Sequence, residues 1–312
     1  MLNDFLLNLK TVLIQVGILY LIASVGFAAD KTKIFVQADG KRLVDLLFNM
    51  ILPIAVINSF LSMERTKEHI KLLFFAFLLA LITHIFAIAL SSLTFRRKPK
   101  KESGIYHYAT TFSNAAFFAL PLAQSVIGNE GIFYCSCYIA IFNIFAFTYG
   151  INQISGGKAK INVKNLILNP GTISVIIGLP LFLLGVRLPD FLSDTMGRIA
   201  ACNSPMAMIV FGTFFANCNY KNIFIKKEIY LVSFLRLIVI PCSMLLIFRL
   251  LGAGGNMLIS LVISTSAPVA TNTAMYSAKY DNDTALSAEI VGQTSIFSII
   301  TMPIIVAIAS II

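Results

Sequence analysis

Ten apolar stretches, each roughly twenty residues long, run the length of the chain between short polar connections: about 8–29, 41–62, 69–94, 105–126, 131–153, 168–186, 192–217, 228–251, 256–279 and 284–310. A run of that length crosses a bilayer as an α-helix. The stretches are too long and too uniformly apolar to alternate as barrel strands. The pattern therefore predicts an all-α integral membrane protein with ten transmembrane helices.

The polar punctuation repeats. Shifted by 152 positions, Gly26 meets Gly178, Pro53 meets Pro205, Ser113-Asn114-Ala115 meets Thr265-Ser266-Ala267, and Asn143-Ile144-Phe145 meets Ser295-Ile296-Phe297. The chain reads as one unit written twice: a first five-helix repeat over 1–154, a short cytoplasmic linker over 155–167, and a second, inverted repeat over 168–312. Units with an odd number of spans insert in opposite senses, and inverted repeats mark secondary transporters with a solute site near the midplane.

Hydrophobic residues make up 58% and charged residues only 12%, which sets aside no stretch for a soluble domain. The net charge of +10 does not gather into a nucleic-acid-binding stripe. Most of the 24 Lys and Arg fall instead into alternate connections: Lys31, Lys33, Lys41 and Arg42 after the first span, Arg96, Arg97, Lys98, Lys100 and Lys101 after the third, Lys158, Lys160 and Lys164 after the fifth, Lys221, Lys226 and Lys227 after the seventh, and Lys279 after the ninth, against Lys10, Arg65, Lys67, Lys71, Arg187, Arg198 and Arg249 on the other side. Basic connections stay cytoplasmic, so both termini are expected on the extracytoplasmic side of the cell membrane. Met1 to Lys10 lacks a basic region and a small-residue cleavage site, so the first span is expected to be retained. Cys135, Cys137, Cys202, Cys218 and Cys242 follow no metal-ligand spacing and read as packing thiols. The His and acidic residues form no nucleophile, base and orienter set, so neither an enzyme nor a cofactor is expected.

The fourth stretch of each half is interrupted. Thr110-Thr111-Phe112-Ser113-Asn114 leads to Pro121, and Ser264-Thr265-Ser266-Ala267-Pro268 leads to Thr271-Asn272-Thr273, both in mid-span. A broken membrane helix exposes bare amides and carbonyls, tolerated only beside protein or a cavity, and its N-terminal end favours an anion. Ser113, Asn114, Pro268, Thr271 and Asn272 are therefore the candidate solute ligands. Pro53, Pro121 and Pro205 are candidate hinges or supports. Candidates for coupling are the intramembrane ionisable residues His84, Arg236 and Glu289, with Arg236 either pairing with Glu289, neutralising substrate or reaching to an interface.

Phe112-Ser113-Asn114, then Ala119-Leu120-Pro121-Leu122 and Gly128-Asn129-Glu130-Gly131, resembles the fourth-span pattern of auxin efflux carrier family permeases. Asn169-Pro170-Gly171, Ser204-Pro205 through Gly212, and Ala267-Pro268 through Tyr280 and Thr294 are similar to that family's second half, so the likeness covers essentially the whole chain. The resemblance implies a ten-helix carrier with crossed, broken fourth and ninth helices, moving a mono- or dicarboxylate by alternating access. It also implies that Asn114 contacts the carboxylate, that Pro268 marks the crossing, and that homodimers form, although no heptad or small-residue seam calls for one. Ser113 departs from the proline of plant carriers, and the short linker departs from their long hydrophilic segment. Two rivals stand beside this reading: a sodium-coupled organic-anion symporter of the bile-acid-transporter type, and a membrane ligand sensor. Coupling to Na⁺ or H⁺ is left open by the residues. A cation antiporter would need carboxylates at the crossing, and from Tyr106 to Gln153 the only acid is Glu130.

Overall fold

The computed structural model describes residues 2–35, 37–98, 100–159, 163–217 and 223–312; Lys160, Cys218 and Lys221, named above, lie outside them. The regular elements among the described residues are all helices, with no strand among them. In chain order they form α1 (Leu2–Lys31), α2 (Arg42–Ser62), α3 (Lys67–Phe95), α4a (Lys100–Thr111), α4b (Ala115–Ile127), α5 (Asn129–Ile154), α6 (Pro170–Leu184), α7 (Asp190–Ala216), α8 (Lys227–Leu250), α9a (Gly255–Ser266), α9b (Asn272–Lys279) and α10 (Thr284–Ala309). Seven of these, α1, α2, α3, α5, α7, α8 and α10, are long and apolar enough to cross a membrane. The remaining apolar stretches fall short because α6 has 15 residues and the other two are each divided in the middle.

Proline shapes the helices it enters. Of the four wide turns among the described residues, Leu47–Ile51, Ala115–Ala119 and Leu235–Val239 each have a proline two residues past them, Pro53, Pro121 and Pro241, while Ala146–Gly150 has none. Proline offers no N–H to the preceding turn, and the hydrogen-bond ladder slips there by one residue. Pro205 stands three residues after Cys202, where α7 turns before resuming at Asn203. Cys135 and Cys137 are buried free thiols, while Cys202 and Cys242 are exposed ones.

Polarity is arranged from the inside out. Leu184 and Leu250 are 77% exposed, whereas Thr265, Ser266 and Thr294 are fully buried. Such a distribution suits a lipid surround, in which apolar side chains lose nothing by facing outward and hydroxyls serve between helices. The helices sort into two groups. In one, α1 packs along α7, and α2 along α6 and α7; in the other, α3, α4a, α5, α8, α9a and α10 pack on one another. Contacts of α1 with α10, of α5 with α6 and α2, and of α4b with α1 and α7 join the groups. Gly26 and Gly212 bring α1 and α7 to backbone contact, since a Cβ on either would collide with the carbonyl of Ile209 or Ala23. Close approach of small residues is what holds helices together where lipid is as apolar as the side chains.

Candidate functional site

Where α4 and α9 break, each break completes the other. The Asn114 amide donates to Pro268 O at 2.7 Å, and the Ala270 amide donates to Phe112 O at 3.0 Å. Ser113 and Val269 thereby face each other as a single antiparallel bridge. Val269 N also donates to Thr294 Oγ1 at 3.2 Å, and Ser113 Oγ to the Tyr138 hydroxyl at 3.2 Å. Backbone groups stripped of their helical partners are thus satisfied inside the protein, as an apolar surround requires.

The carbonyl ends of the half-helices meet a charge. Arg236 on α8 is fully buried, and its guanidinium donates through Nη2 to Thr265 O (2.6 Å), through Nε to Ala267 O (3.3 Å) and through Nη1 to Thr110 O (3.5 Å). Thr110 lies in the last turn of α4a and Thr265 in the last turn of α9a, so one cation serves the negative poles of two half-helices. The planar guanidinium fork suits three divergent carbonyls, which a lysine ammonium cannot span in the same way. This corrects the expectation that Arg236 pairs with Glu289 or reaches an interface. Glu289, 5% exposed, instead accepts from Lys226 Nζ at 2.8 Å; that hydrogen bond raises the pKa of Lys226, which stands just before α8.

Beside the crossing lies a narrow cavity. Its empty volume is about 570 Å³, open solvent at its mouth included. The first turn of α4b (Ala115, Ala116, Phe117) lines it together with Ser113, Asn114, Ala270, Thr271 and Asn272. Asn143 of α5, and Asn169 and Gly171 at the start of α6, add a second polar edge, while Phe48, Leu52, Phe142, Phe147 and Tyr276 supply apolar walls. No charged residue is among those lining it. Asn114 Nδ2 is buried without a hydrogen-bond partner. A donor left bare in this way, beside a helix N-terminus, is what an anion's oxygen would satisfy.

All five candidate ligands therefore come together: Ser113, Asn114, Thr271 and Asn272 line the cavity, and Pro268 supplies the carbonyl of the crossing. His84, Arg236 and Glu289 do not line it. His84 is fully buried, donates from Nδ1 to Ala80 O at 2.8 Å, and stacks 5.6 Å from the Phe145 ring. Asn143, Asn169 and Tyr276 were not among the sequence candidates. The sequence marks Asn143 only through its register with Ser295, a signal that points to its position and not to its partner.

Two comparisons bear on this geometry. The family described as membrane transport protein matches residues 11–306. An uncharacterized transporter of Methanocaldococcus jannaschii is 23% identical over 297 residues, covering 91% of this chain and 94% of that protein. With its broken helices and a match spanning nearly the whole sequence, the chain belongs to the membrane transport protein family, the family of the auxin efflux carriers, and is a multi-pass membrane transporter.

Proposed function

We propose that this transporter carries a small organic anion with one carboxylate and an apolar body, bound at the crossing of α4 and α9. The observation that carries this reading is the unpartnered Asn114 Nδ2 in a cavity without charged lining. The carboxylate accepts from Asn114 and from first-turn amides of α4b, where the helix dipole favours negative charge. The body of the solute rests among Phe48, Phe117, Phe142 and Tyr276. A second carboxylate would have to shed its water against those rings with no counter-charge, which costs several kcal/mol. Monocarboxylates are favoured over dicarboxylates on that ground.

The ten spans form two inverted five-helix repeats, 1–154 and 168–312, joined by 155–167. Transport follows alternating access, with α1, α2, α6 and α7 as scaffold and the other group moving. α4b packs on α1 and α7, while α9b packs on α4a, the last turn of α5 and α10. With Asn272 and Tyr276 of α9b, and Thr271 just before it, in its lining, the cavity is read as facing the α9b end, the side expected to be cytoplasmic from the basic connections. Arg236 already supplies a cation to the carbonyl ends that would otherwise attract Na⁺, so the carrier does not use sodium at the crossing.

Proteoliposomes loaded with the purified protein test this reading with labelled benzoate, hexanoate and succinate, with and without a pH gradient. Uptake of the two monocarboxylates above empty liposomes is expected, with succinate at least about tenfold poorer, the factor for roughly 1.4 kcal/mol. Asn114→Ala is expected to abolish uptake while leaving membrane insertion intact. Unchanged kinetics in that variant, or no uptake of any of the three acids, would sink the proposal.

A further inference from the structure

Asn143 does two things at once. It lines the cavity from α5, and its Nδ2 donates to Asn169 Oδ1 at 3.1 Å and to Thr172 Oγ1 at 3.3 Å, both at the start of α6. α5 belongs to one helix group and α6 to the other. Local sequence builds this contact: Asn169 caps α6 by accepting from the Gly171 amide at 3.0 Å, Pro170 opens the helix, and a side chain on Gly171 would press on Asn143 Nδ2 at 3.1 Å.

The repeat register supplies an independent counterpart. At a shift of 152, Thr172 corresponds to Tyr20 and Asn143 to Ser295. Those two also join the groups, since the Tyr20 hydroxyl of α1 donates to Ser295 O of α10 at 2.6 Å. The same pair of positions is thus hydrogen-bonded in both halves.

The wall that α5 and α6 give the cavity is held by Asn143.

We propose that Asn143 is the positioning residue that couples solute binding to movement. In the empty carrier its amide clasps α5 to α6; a bound carboxylate takes those hydrogen bonds, and α6 is released. The Tyr20–Ser295 contact is a second clasp that solute does not reach. This rests on the carboxylate reading above.

Hydrogen–deuterium exchange of the purified full chain in nanodiscs tests it, with potassium benzoate as the probe. In the parent protein, benzoate is expected to speed exchange of peptides covering 169–173 about fivefold, the scale of one net hydrogen bond. Asn143→Leu should show that faster exchange without benzoate, and benzoate should then change it less than about twofold. Tyr20→Phe should loosen peptides around Ser295 and keep the full benzoate response at 169–173. Thr172→Val, which removes the longer of the two contacts and leaves that to Asn169, should show a smaller rise of the same kind if Asn143→Leu does not fold, and no rise in it overturns the clasp. Exchange in Asn143→Leu as slow as in the parent, or a full benzoate response surviving in it, overturns the clasp. Should the parent take up no acid at all, the carboxylate reading fails instead, and the clasp is read from the unliganded comparison alone.

Discussion

Single residues at the crossing divide into those that leave a group bare and those that cover one. Asn114 leaves a donor unpaired, and Arg236 covers three carbonyls with one charge. Removing the guanidinium leaves buried carbonyls without their donor, and each keeps a desolvation penalty of about 1–3 kcal/mol. Arg236→Met is therefore expected to lower the thermal stability of the detergent-solubilised protein sharply, and Arg236→Lys, with a point charge in place of a fork, to recover only part of it. Equal melting temperatures for parent and Arg236→Met would remove the guanidinium from this role. Asn114 was legible in the sequence because a polar cluster interrupts an apolar run. Arg236's role was not, since its partners are backbone carbonyls 29, 31 and 126 positions away, and no side chain announces them.

At the level of the element, prolines were legible as interruptions, and three of them follow a wide turn by two residues. The pairing of helix ends was not legible. Sequence reasoning offered Glu289 to the charge in the same membrane interior, whereas the fold brings α10 to the start of α8 and gives it Lys226. Lys226→Met strands that carboxylate, and with Lys226 itself 43% exposed at the side chain the cost is discounted to about 1–3 kcal/mol. Glu289→Gln added to Lys226→Met is expected to restore most of the lost stability. The sign with pH follows from the raised pKa of Lys226: the contribution is fully present below the ordinary lysine value and disappears as pH rises through the raised one. Melting of the parent between about pH 6 and 9 should not report this pair; a steep loss of the Lys226-dependent stability within that window would contradict the assignment.

For the whole molecule, the number and rough extent of the apolar stretches could be read because the bilayer imposes one length on all of them. Their sorting into two groups could not, because it depends on close backbone approaches such as Gly26 on Ile209 and Gly212 on Ala23, which no periodicity reveals. With a resident cation at the carbonyl ends, replacing Na⁺ by choline on both sides of the liposome membrane is expected to leave benzoate uptake within about twofold, since a coupling ion at micromolar to millimolar affinity would be worth several kcal/mol. Loss of uptake on that exchange would point to a sodium site elsewhere. The reciprocal bonding of Phe112 and Asn114 with Pro268 and Ala270 also bears on how the chain is made. Ribosomes at about 5–20 residues per second deliver the first interruption many seconds before the segment that completes it. Until then its amide and carbonyl have no mate in the lipid, so the nascent amino-terminal half must be sheltered by the insertion machinery, and a carboxy-terminal truncation ahead of Pro268 should be cleared by quality control.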